Sequence, residues 1–336
     1  MSTPVLELDA VRFDYVAGPP WARRRVPALH GVSLAAGRGE TVGLVGESGS
    51  GKSTIGKAVL GLQPPTSGRV ELHGRDITSM SLKQRSRLVV DLRVVFQDPY
   101  SSLNPARTIG QTLVEPLRLT GLKGEQAWAK ARAGLESVGL PGDAADRYPS
   151  QFSGGQRQRI AIARALVCDP KVVVLDEPVS ALDLSTQAQV LNLLADLRDQ
   201  RGLAFLFIAH DLGVVRFLAQ RSVVLYRGQV METGPAEAVS SRSRHPYTVA
   251  LTAAAPVPRP AEQAARRVAR EALGIGSAGA AQPATTGCPF APRCPLATDV
   301  CLTERPPLRL VDETSVACHH AERVPQLRVR VPVRHS

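Results

Sequence analysis

A short glycine-rich segment, GESGSGKST at residues 46–54, constrains this chain more than any other part of its sequence. It fits the pattern G-x-x-x-x-G-K-[ST] and follows the apolar run TVGLV (41–45), which predicts a buried strand. Glycines let the backbone curl so that several N–H groups point at one phosphate, and a helix beginning at Lys52 would add the positive end of its dipole. The segment therefore predicts a strand–loop–helix unit that binds the phosphates of a nucleotide.

The side chains of this loop suit the same task. Lys52 would reach the β- and γ-phosphates as a point charge, and the hydroxyl of Ser53 would ligate Mg²⁺. A glycine-rich turn that binds nothing is the alternative, but it would not need a buried strand before it and a helix after it. The residues predicted to bind the nucleotide here are Gly46, Ser48, Gly49, Ser50, Gly51, Lys52, Ser53 and Thr54.

Two adjacent acidic residues follow a second apolar run, in KVVVLDEP (171–178). A buried strand there would deliver Asp176 and Glu177 at its carboxyl edge, where open α/β sheets bind ligands. Asp176 is suited to orient Mg²⁺, directly or through water, and Glu177 is suited to accept a proton from an attacking water. A solvated strand end would carry the same two acids, so this prediction depends on the phosphate-binding loop upstream.

A third segment, FSGGQRQRIAIARAL (152–166), predicts a strong helix with a second anion-binding N-terminus. Ser153, Gly154 and Gly155 would supply the donors. A serine that merely caps an ordinary amphipathic helix fits the same residues. Because the segment lies far along the chain from the first loop, its sequence does not assign it to the same nucleotide.

Strands and helices alternate along most of the chain, which predicts a parallel α/β sheet with a helical insertion at about 98–165. Proline, alanine and glycine become frequent after residue 255. We therefore predict a first domain at 1–255, a linker at 256–286 with one short helix at 261–273, and a cysteine-rich domain at 287–336. The other predicted strands are 5–15, 32–34, 69–72, 93–96, 172–175, 204–208 and 222–226, with a loop containing Arg23, Arg24 and Arg25 between the first two.

The 336 residues carry a net charge of +11, which keeps nucleic-acid binding open as a function. The charge is not concentrated in one region, since residues 241–336 contribute +6 and the rest of the chain contributes +5. The longest apolar run, Leu203–Ala209, is too short to span a bilayer, and the N-terminus lacks the basic flank and apolar stretch of a secretory signal. We therefore expect a protein that stays in the cytosol.

In the order of its motifs, the chain resembles the ATPase subunits of ABC transporters. Besides the three segments above, it has a Q-loop glutamine (Gln97), a D-loop with Asp183, and a switch histidine (His210). The signature comprises Ser153, Gly154, Gly155 and Gln156, preceded by Phe152 where many members have leucine. The resemblance covers residues 5–240. It implies a P-loop ABC nucleotide-binding domain with a parallel sheet core, an antiparallel β subdomain and a helical signature subdomain, followed here by a small cysteine-rich C-terminal extension.

The resemblance also implies a mechanism, in which two such ATPases form a head-to-tail dimer around two ATP molecules. Each ATP would lie between the phosphate loop of one subunit and the signature of the other. Tyr15 would stack on adenine, with Phe13 as the second choice; packing in an edge strand is the alternative role for Tyr15. The other implied roles are Mg²⁺ binding by Ser53, Gln97 and Asp176, general-base catalysis by Glu177, and a γ-phosphate contact by His210.

Three segments narrow the resemblance to the oligopeptide/dipeptide importer group: VVFQDPYSSLNP (94–105), SRHPYTVAL (243–251) and GCPFAPRCPLATDVC (287–301). The group implies an ATPase that powers the import of peptides or a related solute, peripheral on the cytoplasmic face of the membrane. Its partners would be a second ABC ATPase, usually a paralogue, two permease subunits and, indirectly, an extracytoplasmic binding protein. A soluble ABC ATPase acting on nucleic acid or ribosomes is the alternative; the single cassette without long heptads disfavours it, so we expect no nucleic-acid partner. The intact catalytic residues disfavour a purely regulatory ATP-binding subunit.

Four of the five cysteines, Cys288, Cys294, Cys301 and Cys318, are spaced C-x5-C-x6-C-x16-C near the C-terminal end. The spacing matches neither a zinc ribbon nor a ferredoxin run, so metal ligands, disulfides, free thiols and small buried hydrophobes all stay open. The resemblance adds a [4Fe–4S] cluster, which some members of the group carry in this region. Zinc is the alternative metal, with His319 or His320 as substitute ligands, and Cys168 is predicted to be a buried packing residue.

Overall fold

The computed structural model describes residues 3–19, 21–85, 88, 90–98, 102–254 and 286–326, which group into two units. The first unit comprises Met1–Val11, Ser33–Thr41 and Ser53–Ile208, and the second comprises Arg12–Val32, Val42–Lys52 and Ala209–Ser336. The predicted linker at 256–286, with its short helix, lies outside the described residues except for residue 286.

The strands are β1 (Leu6–Ala17), β2 (Arg24–Ala36), β3 (Thr41–Val45), β4 (Ser67–Leu72), β5 (Arg75–Asp76), β6 (Leu92–Val95), β7 (Val172–Asp176), β8 (Ala204–Ala209), β9 (Arg221–Tyr226), β10 (Gln229–Pro235), β11 (Arg309–Val311) and β12 (Thr314–Val316). The α-helices are α1 (Lys52–Leu60), α2 (Leu82–Arg85), α3 (Ile109–Leu117), α4 (Gly124–Glu136), α5 (Gly154–Leu166), α6 (Leu184–Arg201), α7 (Leu212–Leu218), α8 (Ala236–Ser241), α9 (Pro246–Ala254) and α10 (Asp299–Thr303). None of these helices of the described chain has both the length and the apolar character needed to cross a membrane.

Three parallel strands form the centre of the first unit. β7 pairs with β6 on one side and with β8 on the other, so that Val174 lies opposite both Val94 and Leu206. All residues of β7 before Asp176 are buried, which is typical of a parallel strand covered on both faces. Because β7 ends at Asp176, the acidic pair lies at the carboxyl edge of this sheet.

The chain between β6 and β7 is helical, as its apolar periodicity predicts. α3 begins with a capping box, in which Thr108 Oγ1 accepts from the Gln111 N–H at 3.3 Å and Gln111 Oε1 accepts from the Thr108 N–H at 3.0 Å. Cys168 lies in a small apolar cluster with Leu117 and Val167, which confirms it as a packing residue. Its burial raises the pKa of the thiol.

The second unit has a mixed sheet that includes strands from the C-terminal region. β3 is parallel to β9, with Leu44 opposite Val223. β10 is antiparallel to β9, and β12 is antiparallel to β10, with Glu232 opposite Val316. β11 and β12 form a short hairpin. The cysteine-rich region therefore extends the same sheet that carries the strand before the phosphate loop.

The structure differs from the sequence prediction in two main ways. β2 is much longer than the predicted 32–34 and includes Arg24 and Arg25, which were expected in a loop; its first residues are exposed, so no apolar alternation marks them. β10, β11 and β12 were not predicted, because they are short or carry polar residues whose burial depends on neighbouring strands. Helices α8 and α9 were missed as well.

Gly43, in the middle of β3, packs closely against α7: a Cβ there would lie 2.1 Å from Val215 Cγ1. We expect Gly43→Ala to lower the free energy of unfolding by about 1–3 kcal/mol, because β3 or α7 must shift to make room. Thermal or denaturant unfolding measures the change. The control is Gly56→Ala in α1, whose Cβ would lie 3.4 Å from Ile208 Cδ1 and whose alanine favours a helix. Equal stability of the two variants would contradict the prediction.

Candidate active site

The loop between β3 and α1 holds Lys52 in a buried position, with 6% of the residue exposed. Its ammonium donates hydrogen bonds to the carbonyl oxygens of Gly46 at 2.7 Å and Glu47 at 3.0 Å. A cation removed from water needs such partners, because an unpaired buried charge is costly. The loop thus keeps its cation in place at the first residue of α1.

Two glycines of the loop are required by its shape. A Cβ on Gly46 would lie 2.2 Å from the carbonyl oxygen of Leu225. Gly51 has φ +107°, and a Cβ there would lie 2.8 Å from Leu29 Cδ2. Of the other predicted nucleotide-binding residues, Ser48, Gly49 and Ser53 are exposed, whereas Ser50 and Thr54 are buried. The close packing leaves the backbone curled with little freedom, as phosphate binding requires.

The two candidate adenine-stacking residues, Phe13 and Tyr15, lie on β1 with ring centroids 4.9 Å apart. Phe13 is only 4% exposed, so it is a core residue and does not offer a face to a ligand, which removes the second choice. Tyr15 is half-buried. Tyr15 is therefore the one of the two that can stack on a base.

Gln97, which follows β6, and Glu177, which follows β7, meet in the first unit. Gln97 Nε2 donates to Glu177 Oε2 at 2.9 Å. Glu177 has φ +48°, in the left-handed region that residues other than glycine avoid, and its N–H donates to the carbonyl oxygen of Ile208 at 3.0 Å. Backbone strain of this kind is concentrated at functional sites. The structure thus brings together two of the residues predicted to be catalytic.

The predicted signature forms the start of α5, where Ser153 is the N-cap residue. Ser153 Oγ accepts from the Gln156 N–H at 3.3 Å, and Gln156 Oε1 accepts from the Ser153 N–H at 3.0 Å. This capping box satisfies two of the donors at the start of the helix. The residue before it, Phe152, is buried, and the guanidinium of Arg147 lies 4.6 Å from the centre of its ring.

The signature helix packs directly against the D-loop through Thr186. A Cβ on Gly155 would lie 2.3 Å from Thr186 Cγ2, so the close approach requires glycine. Thr186 donates its N–H to Asp183 Oδ1 at 2.9 Å and its hydroxyl to Asp183 Oδ2 at 2.7 Å. Asp183 is therefore the N-cap of α6, and these hydrogen bonds hold its pKa below the usual range. Motif spacing did not identify Thr186.

The predicted site residues belong to two different units. Gln97, Asp176, Glu177 and the signature belong to the first unit, whereas Tyr15, the phosphate loop up to Lys52, and His210 belong to the second. Asp176 is partly buried at the end of β7. His210 follows β8 and is exposed, and the next residue, Asp211, caps α7 by accepting from the Gly213 N–H at 2.7 Å.

All five cysteines are free thiols, so none of the four C-terminal ones forms a disulfide. Cys288, Cys301 and Cys318 are buried, and Cys294 is partly buried. Burial, together with a smaller contribution from charge on the neighbouring cysteines, raises the pKa of Cys294 to about 12 and that of Cys318 to about 11. Within the described residues, no group of three or more histidine, cysteine or acidic side chains is arranged to hold a metal ion.

Residues from the C-terminal half of the second unit, not predicted from the sequence, contact the phosphate loop. Arg293 and Tyr247 both bind Glu47, the second residue of the loop. The available signal was their position inside the segments SRHPYTVAL and GCPFAPRCPLATDVC, which carried the narrower resemblance. Contacts between residues so far apart in sequence have no signature in spacing.

Two family descriptions match this chain. Residues 29–180 match the family described as "ABC transporter", and residues 231–301 match "Oligopeptide/dipeptide transporter, C-terminal region". A protein of Brucella abortus (strain 2308), whose name describes a peptide import ATP-binding protein, is 48% identical over 317 residues, 93% of this chain and 92% of that protein. A protein of Brucella ovis with the same kind of name is 48% identical over 84% of this chain and 88% of its own length.

Solved structures show the same fold. The bacterial ABC transporter cassette MJ0796, solved as a dimer, aligns with a TM-score of 0.61 and 31% identity over 69% of this chain and 98% of that one. The same cassette in a post-hydrolysis state bound to ADP and Pi gives the same values. The CbiO1 subunit from Clostridium perfringens aligns with a TM-score of 0.64 and 26% identity over 72% of this chain and 93% of its own. These likenesses confirm the predicted α/β nucleotide-binding fold.

The contact between Gly155 and Thr186 can be tested with one substitution that disrupts it and a second that restores the space. Gly155→Ala should lower the free energy of unfolding by about 1–3 kcal/mol, because its methyl group overlaps Thr186 Cγ2. Adding Thr186→Ser should recover most of the loss, since serine lacks that methyl group and keeps the hydroxyl that binds Asp183. Thermal unfolding of the single and double variants is the measurement, with Thr186→Ser alone as the control. Additive losses in the double variant would contradict the described contact.

Proposed function

Because the chain belongs to the ATP-binding subunits of ABC transporters, we propose that it hydrolyses ATP to power the import of peptides, or a related solute, through a membrane transporter. The observation that carries this proposal is the 48% identity, over nearly the whole chain, to a protein named for peptide import. The match of residues 231–301 to the C-terminal region of oligopeptide/dipeptide transporters supports the same substrate class.

In this proposal the phosphate loop binds the β- and γ-phosphates of ATP. Lys52, which is bonded to two loop carbonyls and lies 3.5 Å from Ser50 Oγ, turns one of its three donors to the phosphates when they bind. Mg²⁺, held by Ser53, Gln97 and Asp176, supplies charge neutralisation when bound. Oxygen donors of this kind suit a hard cation, and all three side chains belong to the first unit. Tyr15 stacks on the adenine.

Glu177 acts as the general base toward the attacking water. Its left-handed backbone and the hydrogen bond from Gln97 fix the direction of its carboxylate before the substrate arrives. Gln97 can release this bond to contact the metal or the water, so occupancy of the site and the position of the Q-loop are linked. His210 contacts the γ-phosphate from the end of β8.

The signature would bind the ATP held by a second subunit. Ser153 Oγ accepts from the Gln156 N–H, so its own hydrogen can be donated to a phosphate without loss of the helix cap. The N–H groups of Gly154 and Gly155 add the positive end of α5. The proposed assembly therefore contains a second ABC ATPase that is a paralogue of this chain, two permease subunits and, indirectly, an extracytoplasmic binding protein. The chain would lie at the cytoplasmic face of the membrane.

For the C-terminal region we propose a [4Fe–4S] cluster on Cys288, Cys294, Cys301 and Cys318. The four thiols share one region and form no disulfide, and charge on neighbouring cysteines contributes to the raised pKa of Cys294 and of Cys318. Four cysteine thiolates are the ligand set that such clusters take. The alternative zinc ligands have other partners: His319 Nε2 lies 3.0 Å from the Glu304 carbonyl oxygen, and His320 Nε2 lies 2.8 Å from Thr298 Oγ1.

Glu177→Gln tests the catalytic assignment. Glutamine cannot accept the proton, so ATP hydrolysis should fall by about 100-fold or more, while ATP binding is kept and the closed dimer accumulates. Phosphate release in the assembled transporter and the Kd of a fluorescent ATP analogue measure the two effects. The control is Glu125→Gln, an exposed position in the first turn of α4. Undiminished release in Glu177→Gln would reject the general-base role.

Anaerobic purification tests the cluster. The holoprotein should absorb at about 400 nm and contain about four irons per chain, and both signals should be lost in Cys294→Ser. Cys168→Ser, in the packing cluster of the first unit, is the matched control and should keep its iron. A colourless protein with one zinc per chain would reject the iron–sulfur assignment and leave the ATPase assignment standing.

A further inference from the structure

Glu47, in the phosphate loop, is bound on two sides by residues from the C-terminal half of the second unit. Arg293 Nη1 lies 2.9 Å from Glu47 Oε2, and Arg293 Nη2 lies 3.0 Å from Glu47 Oε1, which is a bidentate pair. Tyr247 Oη accepts a hydrogen bond from the Glu47 N–H at 2.8 Å. Both the side chain and the backbone of one loop residue are therefore held by distant parts of the sequence.

The ion pair is better sheltered than an ordinary surface pair. The side chain of Arg293 is 17% exposed and that of Glu47 is 41% exposed. The guanidinium of Arg293 also lies 5.5 Å from the ring centre of Phe290 and 5.9 Å from that of Tyr226. Exposed ion pairs contribute little because water and salt screen them, but a bidentate pair packed on aromatic rings loses less of its strength.

A cluster of three aromatic rings keeps these partners in position. Tyr226 lies 4.6 Å from Tyr247 and 5.5 Å from Phe290 between ring centres, and Tyr247 lies 5.4 Å from Phe290. Tyr247 and Phe290 are fully buried. Because such rings cannot move independently in a packed core, the Tyr247 hydroxyl and the Arg293 guanidinium reach the loop from a rigid support.

On the loop side, the same residue contacts the phosphate-binding lysine. The carbonyl oxygen of Glu47 accepts from Lys52 Nζ at 3.0 Å and from the Ser50 N–H at 3.1 Å. A displacement of Glu47 would therefore move both an acceptor of Lys52 and the turn that directs the loop N–H groups. The position of Glu47 thus affects how well the loop is prepared for a phosphate.

On the other side, Arg293 belongs to a tight turn between two cysteines. The Ala291 N–H donates to the Cys288 carbonyl oxygen at 3.0 Å, and the Cys294 N–H donates to the Ala291 carbonyl oxygen at 3.1 Å. The Cys288 N–H in turn donates to the Cys301 carbonyl oxygen at 2.8 Å. The place of Arg293 is therefore set by the fold of the cysteine segment.

We infer that Arg293 is a positioning residue for the phosphate loop, and that through it the C-terminal cysteine region controls the affinity of this subunit for ATP. An ordered cysteine segment holds Glu47 and keeps the loop ready for phosphate. Disorder of this segment releases Arg293 and weakens ATP binding. The inference rests on the ATPase function, but the contact between Arg293 and Glu47 does not depend on the identity of the metal.

Arg293→Gln in the full-length protein is the first test. We expect the Kd of a fluorescent ATP analogue to rise by about tenfold, while kcat at saturating ATP stays within about twofold of wild type. Arg293→Lys, which keeps the charge but not the bidentate geometry, should lie between the two. The matched control is Arg242→Gln, which removes an ion pair from Arg242 to Glu313 of the C-terminal region without touching the loop. An equal Kd in the two glutamine variants would overturn the inference.

Glu47→Gln provides a second test, which can be used even if Arg293→Gln does not fold. The residue is half-exposed and therefore tolerates the change. A double-mutant cycle of Glu47→Gln and Arg293→Gln should be strongly non-additive in the Kd for ATP, because each change removes the same contact. Thermal unfolding separates positioning from a general loss of stability. Additive effects on Kd would overturn the inference.

Cys294→Ser links the contact to the thiols. Its Kd for ATP should rise as in Arg293→Gln, and the double variant should show no further rise. If Cys294→Ser loses iron yet binds ATP as wild type does, the cluster assignment holds and the control of ATP affinity is refuted. If wild type contains no iron but Arg293→Gln and Cys294→Ser both bind ATP weakly, the control holds and the cluster is refuted.

Discussion

The hydrogen bonds of the buried Lys52 ammonium are the interaction on which the shape of the phosphate loop depends. A cation with 6% exposure needs acceptors at hydrogen-bond distance, and the carbonyl oxygens of Gly46 and Glu47 supply them. Those carbonyls can turn toward it only because Gly46 has no Cβ against the Leu225 carbonyl. The curled loop follows from this packing, and so does the start of α1 at Lys52. The loop is thus shaped by a charge that must be satisfied even before a phosphate is present.

Another buried charged group of the second unit, Glu232, is also satisfied by backbone and side-chain hydrogen bonds. Glu232 is buried in β10, where its carboxylate accepts from the backbone N–H groups of Arg244 and His245 and from Thr314 Oγ1 at 2.6, 3.2 and 3.2 Å. Burial raises its pKa to about 7 despite these bonds. They tie the segment before α9 and strand β12 to β10. These hydrogen bonds hold the segment SRHPYTVAL in the position from which Tyr247 contacts the phosphate loop.

Sequence reasoning succeeded where chemistry is local. The strand 41–45, the loop after it and the helix at Ser153 could be predicted because glycine, apolar runs and capping residues act on their neighbours in the chain. It failed where a residue's role comes from distant partners. Nothing near Arg293 indicates that it binds Glu47, 246 positions earlier, and the three-residue strands β11 and β12 form only because β10 offers an edge. The burial of Phe13, the second choice for stacking on adenine, likewise depends on packing that spacing does not encode.

The left-handed backbone of Glu177 has a cost that selection for stability alone would remove. Glycine or asparagine would adopt φ +48° with less strain, and the hydrogen bond from its N–H to Ile208 would be unaffected. Under the proposed general-base role of Glu177, the fold gives up some stability to aim this carboxylate. Efforts to make this protein more robust by consensus or backbone-relaxing substitutions would be drawn to this position first, and on that proposal would gain stability there at the expense of ATP hydrolysis.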